Sequence, residues 1–254
     1  MFSPQLILTA LPDFPLVQPG DDLAALVLEA LARCHIHLQD GDVLVLASKI
    51  VSKAEGRYRD LRQVRVSPAA REVARACAKD PRLVQLILEE SREVLRIRTG
   101  LIVVEHRLGF VCANAGIDHS NTAADRELVL LLPRDPDGTA RALRERWRKA
   151  TGADIAVVIN DSHGRAWRLG TVGVAIGVAG LLPLSDRRGE GDLFGRTLEV
   201  TVLGTADELA AAASLLQGGA DEGAPVIHVR GAPYRAGEGR LADLLRPREL
   251  DMFR

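Results

Sequence analysis

The sequence has few lysines and few cysteines. The shortage of cysteine argues against two kinds of structure, and the shortage of lysine draws attention to the four that are present. Of 33 basic residues only four are lysines, which are Lys49, Lys53, Lys79 and Lys149. The three cysteines are odd in number and lie far apart in apolar segments, which argues against a disulfide framework or a thiolate metal site and favours a reducing cytoplasm. No apolar run reaches the roughly 18 residues of a membrane helix, and we expect no signal peptide.

The charge balance is almost even, so the chain as a whole has no attraction to nucleic acid or to an anionic membrane. The formal net charge is −1, from 33 basic and 34 acidic residues. With 254 residues and 47% hydrophobic composition, the chain can bury a core as one large domain or as two interlocked smaller units. Any site for an anion must therefore be local.

Common nucleotide-binding motifs and nucleophilic triads are missing as well. There is no G-x-x-x-x-G-K-[ST], and the glycines between residues 170 and 180 do not fit G-x-G-x-x-G. We interpret those glycines as sites of close packing between a strand or helix and its neighbour. The six histidines show no metal-ligand spacing, and no Ser/His/Asp triad can be assembled. A nucleotide would have to be bound by another geometry.

Helical and strand patterns alternate irregularly, which predicts an α+β fold with mixed sheets, neither P-loop nor Rossmann. Helices are predicted after the capping pairs Asp21–Asp22, Ser67–Pro68, Asp80–Pro81 and Asp137–Gly138, and over residues 207–216. Strands are predicted at 43–47, 155–159, 198–203 and 226–229, and a hairpin from 101–105 and 109–113.

Polar side chains follow the first of these buried strands. Ser48, Lys49 and Lys53 lie in segment 48–56, which we predict to be a loop after the strand. One hydroxyl and two cations suit a polyphosphate, although a solvated surface loop explains the same residues when they are taken alone.

Two further segments pair a carboxylate with a neutral oxygen-bearing side chain, Asp118 with Asn121 and Asp161 with Ser162. Magnesium and manganese prefer such hard oxygen ligands. Each pair is also typical of a simple turn. The loop at 217–224 is short and glycine-containing, so its backbone N–H groups suit a phosphate, with a plain connection as the equal alternative.

Taken together, these segments resemble the coenzyme F420 gamma-glutamyl ligase family. The matching stretches are GDVLVLASKIVSKAEGR (41–57), GFVCANAGIDHSN (109–121), VVINDSHGRAWRLGTVGVAIGVAG (157–180), DLFGRTLEVTV (192–202) and ADELAAAASLLQGGADEGAPVIHVRG (206–231). They run in order across nearly the whole chain. The resemblance implies a single ligase domain over residues 1–254, built of two intertwined subdomains, without the C-terminal flavin-binding domain of some relatives.

The resemblance also implies an activity and a set of site residues. Family members use GTP and Mg²⁺ or Mn²⁺, with K⁺ as a possible further ion, to join L-glutamate to a carboxylate of the F420 precursor through an acyl phosphate, and they form homodimers. It assigns catalytic roles to Lys49, Lys53, Asp118 and Asp161. It places GTP against Phe14, Pro15, Leu16, Val17, Ser48, Lys49, Lys53, Asn121, Gln217, Gly218, Gly219, Ala220, Asp221, Glu222, Gly223 and Ala224. It gives the metal ligands as Asp118, Asp161, Ser162 and the position of Gly219.

The chain departs from the family pattern at Gly219, where a Glu or Gln usually stands. Gln217, two positions away, is a candidate substitute ligand. Two alternatives stay open at this point, a ligase with a different acceptor and a non-catalytic nucleotide-binding relative.

Overall fold

The computed structural model describes residues 5–119 and 127–253. The strands are β1 Ile7–Ala10, β2 Val43–Ala47, β3 Tyr58–Asp60, β4 Ser91–Arg98, β5 Leu101–His106, β6 Val111–Ala113, β7 Leu128–Leu130, β8 Ala156–Arg165, β9 Arg168–Ala179, β10 Ser185–Asp186, β11 Val202–Leu203 and β12 Val226–Arg230. The helices are α1 Leu23–Arg33, α2 Ser48–Ala54, α3 Pro68–Cys77, α4 Pro81–Glu89, α5 Pro136–Thr151 and α6 Thr205–Gln217. The mixed α/β fold expected from the sequence is confirmed.

A five-stranded mixed sheet forms the centre of the fold, in the order β1-β12-β2-β8-β9. Strands β2 and β8 run parallel, whereas the other neighbours in this sheet are antiparallel. The sheet is covered on both faces: Leu44 and Leu46 belong to the core cluster that includes residues of α1 and α5, and Val43 and Val45 to the cluster beneath α6. Burial on both faces explains why β2 is a continuous apolar run.

Two of the smaller sheets lie along the chain between α2 and α5, and the third, β10 with β11, follows β9. Strands β4, β5 and β6 form one antiparallel sheet, and β3 pairs with β7. A buried ion pair joins this region, since the Arg57 guanidinium lies 2.9 Å from the Glu90 carboxylate with both side chains almost fully enclosed. The predicted hairpin is confirmed by the pairing of β5 with β6, while β4 was not predicted because its apolar residues do not alternate cleanly.

Three predicted boundaries were wrong. Segment 48–54 forms helix α2 instead of a loop, because Ile50 and Val51 turn into the core as soon as β2 ends. Strand β8 continues past Ile159 to Arg165, paired with β9. The predicted strand at 198–203 is reduced to Val202–Leu203.

Gly173 and Gly177 of β9 are sites of close packing, as predicted, whereas a Cβ at Gly170 would meet no atom within 4 Å. A Cβ at Gly173 would lie 2.4 Å from the Ala210 carbonyl oxygen of α6, and one at Gly177 would lie 2.6 Å from the backbone of Pro136 in α5. Two helices therefore approach β9 only because these side chains are absent. Within the described residues, no helix combines the length and the apolar character needed to span a bilayer.

His106, at the end of β5, is enclosed and held neutral. Its Nδ1 accepts the Leu108 N–H at 3.1 Å, so the proton is on Nε2, which lies 3.8 Å from the Glu90 carboxylate. Burial, followed by the charges of Arg107 and Arg57, lowers the pKa of His106 to about 4. The folded state therefore excludes a proton that the unfolded chain binds near its usual pKa of 6.5.

We expect this exclusion to make folding sensitive to acid. Because the folded pKa lies below the unfolded one, the stability due to neutral His106 is complete above about pH 6.5 and is lost as the pH falls toward 4. Relative to pH 8, the loss at pH 5 should be about 2 kcal/mol. Urea unfolding of the wild type and of His106→Gln at pH 5 and pH 8 measures how much of the pH dependence of stability is due to His106. Equal pH dependence in the two proteins would contradict the assignment.

Candidate active site at the ends of β2 and β8

The parallel pairing of β2 with β8 brings Ser48 and Asp161 together. Ala47 lies opposite Asn160 in the register. The next residue after Ala47 is Ser48, at the start of α2, and the next residue after Asn160 is Asp161 of β8. The Ser48 hydroxyl donates a hydrogen bond of 2.7 Å to Asp161 Oδ1. Both residues were candidates from the sequence, and the fold places them in direct contact across 113 positions of chain.

Asp118 reaches the same region through Lys49. The Lys49 ammonium lies 2.6 Å from Asp118 Oδ2, and both side chains are about one-third exposed. The backbone of Asp118 exchanges two hydrogen bonds with Leu130, which fixes the carboxylate beside α2. The structure therefore brings Ser48, Lys49, Asp118 and Asp161 into one cluster, which we call the β2/β8 cluster.

Lys53 lies one helical turn after Lys49, on the same side of α2. Burial, then the charge of Lys49, lowers the pKa of Lys53, and the charge of Asp118 opposes this effect. Because Lys53 is partly desolvated beside another cation, a bound anion would stabilise its charged ammonium. The geometry suits a phosphate chain lying along α2.

Asp161 and Ser162 point to opposite faces of β8, because neighbouring side chains on a strand alternate. Asp161 faces the β2/β8 cluster, and its Oδ2 lies 3.0 Å from His163 Nε2. Ser162 is exposed and shares its face with Asn160, toward α6.

His163 was set aside in the sequence because the histidines show no ligand spacing. The missed signal was its position two residues after Asp161, on the same face of the strand.

The loop after α6 is tied to β8 by Gln217. The Gln217 Oε1 accepts a hydrogen bond of 2.5 Å from the Asn160 amide, and its Nε2 donates to the Pro225 carbonyl oxygen at 3.2 Å. Asn160 is buried. The Gln217 side chain is thus engaged within the protein, while a side chain at Gly219 would meet no atom within 4 Å.

The backbone N–H groups of this loop already surround an anionic group. Glu222 accepts the Ala220 N–H at 2.8 Å. The N–H groups of Ala220, of Glu222 itself and of Gly219 lower the pKa of the Glu222 carboxyl. Such a concave arrangement of N–H groups is a binding site for anions in general. The expectation that loop 217–224 suits a phosphate is consistent with this geometry.

The remaining candidate residues lie at the edge of this region or beyond the described chain. Phe14 and Val17 are buried and join the core cluster on the α1 side of the sheet, so Pro15 and Leu16 carry the exposed side chains of that segment. Asn121 lies outside the described residues. Two surface concavities of about 420 and 570 Å³ lie at the start of α5 and along α3, and their lining residues do not include those of the β2/β8 cluster.

Paired carboxylates, a hydroxyl and two cations, together with an N–H-lined loop, have the chemistry that suits an anion and a hard metal ion. Comparison with known proteins shows which class this is. The family model described as F420-0:Gamma-glutamyl ligase matches residues 13–231. The chain belongs to this family.

Similar proteins from methanogens and another archaeon cover nearly the same length. The coenzyme F420:L-glutamate ligase of Methanothermobacter thermautotrophicus is 52% identical over 94% of this chain and 95% of its own. The protein of the same name from Archaeoglobus fulgidus is 45% identical over 94% of this chain and 93% of its own. The one from Methanocaldococcus jannaschii is 45% identical over 85% and 86%.

We expect Gln217 to hold the 217–224 loop against β8. Gln217→Ala leaves the buried Asn160 amide without its acceptor, which should lower the free energy of unfolding by about 1–3 kcal/mol. Urea unfolding measures this loss. The exposed Gln63→Ala serves as the control and should change stability by less than about 0.5 kcal/mol. A loss no larger than that of the control would show that the Asn160–Gln217 bond does not secure the loop.

Proposed function

We propose that the protein is a GTP-dependent ligase that forms an amide between L-glutamate and the terminal carboxylate of the F420 precursor, with further γ-linked glutamates added in later cycles. The observation that carries this proposal is the β2/β8 cluster, in which Ser48 contacts Asp161 and Lys49 contacts Asp118. Family membership and the name shared by the similar proteins support the acceptor and the amino acid.

The proposed chemistry follows from the weakness of a carboxylate as an acyl donor. An oxygen of the precursor carboxylate attacks the γ-phosphorus, the bond to GDP breaks, and an acyl phosphate forms. The glutamate amine then attacks the acyl carbon, and inorganic phosphate leaves with the former carboxylate oxygen. We assign Lys49 and Lys53 to hold the transferred phosphoryl group and offset its charge, and their position together on α2 supports this.

We assign a divalent metal to Asp118 and Asp161, whose carboxylate oxygens are at partly open positions. The described residues contain no group of three or more His, Cys, Asp and Glu side chains that could hold the ion alone, so phosphate and water oxygens would supply its other ligands. Mg²⁺ or Mn²⁺ held there would neutralise phosphate charge and orient the triphosphate. Ser162 lies on the other face of β8, toward the 217–224 loop, and we assign it with that loop to a second ion. Gly219 brings no side-chain ligand to that ion, so the affinity of the ion should depend more on phosphate oxygens.

A non-catalytic nucleotide-binding protein is the second candidate, and Gly219 is the observation that favours it. The direct test is incubation of the protein with GTP, Mg²⁺ or Mn²⁺, L-glutamate and the unglutamylated precursor, followed by mass spectrometry. We expect a mass increase of one or more glutamyl residues together with GDP. GTP binding without any new product would favour the non-catalytic alternative, and turnover with a different acid would favour a ligase with another acceptor.

The two lysines should matter far more than a surface lysine. Lys49→Met or Lys53→Met keeps much of the apolar stem but removes a charge-assisted hydrogen bond to phosphate, worth about 1.5–3 kcal/mol. The expected result is a roughly tenfold to hundredfold loss in GTP affinity by calorimetry or in kcat/KM. Lys149→Met is the control, since the Lys149 side chain is 75% exposed and its ion pair among the described residues is with Glu145 on the same helix. Equal GTP binding by all three variants would remove α2 from the nucleotide site.

We also propose a homodimer, as the family resemblance implies. Apolar side chains project from the β8–β9 hairpin and from the segment after β10, where Trp167 is 87%, Leu169 98% and Phe194 89% exposed. Large apolar side chains on one chain are typical of a surface that a second subunit covers. We expect sedimentation at micromolar concentration to give a dimer, and Leu169→Asp to shift it toward monomer. A wild-type monomer would contradict the proposal.

A further inference from the structure

The side chain of His163 lies on the same face of β8 as Asp161, two residues away. Its Nε2 is 3.0 Å from Asp161 Oδ2, while the Ser48 hydroxyl donates to Asp161 Oδ1. Among the residues that the structure describes, each oxygen of this carboxylate therefore has a polar neighbour from the protein. The free lone pairs remain available to a cation, and the carboxylate is constrained from both sides.

The imidazole of His163 is fixed by the aromatic side chain beneath it. Its ring centre is 5.1 Å from that of Phe110, and the two planes are tilted by 49°. Phe110 in turn stacks on His106, with ring centres 5.1 Å apart and planes within 4° of parallel. The His163 side chain is only 11% exposed. The stack restricts how far the imidazole can turn away from Asp161.

The Nε2 atom of His163 is enclosed and has no aligned hydrogen-bond partner among the described residues. An atom without access to solvent is poorly placed to capture a metal ion as a ligand. It is well placed to contact the carboxylate beside it. Orientation of a metal-binding carboxylate by a neighbouring polar side chain typically changes metal affinity tenfold to hundredfold.

We propose that His163 is a positioning residue, which holds the Asp161 carboxylate in the orientation that accepts the metal ion, with the Phe110–His106 stack as its support. This inference rests on the proposed metal site at Asp118 and Asp161. It adds to that site a residue that neither coordinates the ion nor touches the substrate, and it gives the buried His106 a place in the same assembly.

The test is the affinity for Mn²⁺, measured by the EPR signal of the free ion with a non-hydrolysable GTP analogue bound, so that no turnover is needed. His163→Phe keeps an aromatic ring on Phe110 but removes Nε2, and should raise the Kd for Mn²⁺ tenfold to hundredfold. His163→Gln loses the ring but restores an amide N–H, and should stay within about threefold of wild type. His37→Phe, at an exposed histidine, is the control and should leave the Kd unchanged.

Four results would overturn the inference. Mn²⁺ affinity of His163→Phe equal to that of wild type would show that Nε2 has no part in the site. Equal weakening by Phe and Gln would show that ring packing alone matters. An imidazole nitrogen coupling in pulsed EPR of the wild-type Mn²⁺ complex would make His163 a direct ligand. Absence of Mn²⁺ binding by the wild type would overturn the metal site itself, which distinguishes failure of the proposed function from failure of the role given to His163.

Discussion

The parallel pairing of β2 with β8 is the constraint on which the candidate site depends. Both strands are enclosed on two faces by helices, so their register is set by packing as well as by backbone hydrogen bonds. A shift of β8 by one residue would turn Asp161 to the opposite face of the sheet. The contact of Ser48 with Asp161, and the cluster around it, therefore follow from the central core.

Bound ions of opposite charge would offset the local charges of the cluster and of Lys53 beside it. Lys49 has Asp118 as a close partner, whereas Lys53 is partly desolvated beside another cation, which lowers its pKa. A phosphate chain would restore the balance along α2, and a divalent ion would do the same between the carboxylates. The N–H groups that receive Glu222 show how the nearby loop accommodates an anionic group. Under the proposed function, these features are what would let a chain of nearly neutral net charge hold a triphosphate.

Much of this arrangement could be predicted from local patterns. Caps with a following proline located α3 and α4, a continuous apolar run located β2, and an apolar segment interrupted by His228 located β12. Helix α2 was not predicted, because its seven residues are too few to show a helical period and its formation depends on the burial of Ile50 and Val51 in the core. The extension of β8 through Asp161 was also not predicted, because it too depends on contacts with other parts of the fold and not on a local pattern.

The membership of the site was easier to predict than its geometry. Ser48, Lys49, Asp118 and Asp161 were candidates from their chemistry and from the resemblance, but their contacts depend on strand order, which local patterns do not contain. His163 was not predicted, because a search for metal-ligand spacing finds residues that would bind a metal ion directly. It does not find a residue proposed to orient a metal-binding carboxylate. Its alternation with Asp161 along β8 was visible once that segment was known to be a strand.

The transfer of oxygen from the acceptor carboxylate to phosphate tests the central claim most directly. With both oxygens of the precursor carboxylate labelled as ¹⁸O, activation through an acyl phosphate predicts one ¹⁸O in each phosphate released and one retained in the new amide carbonyl. Mass spectrometry of the phosphate and of the glutamylated product gives both numbers. Phosphate free of ¹⁸O beside a glutamylated product would contradict the account.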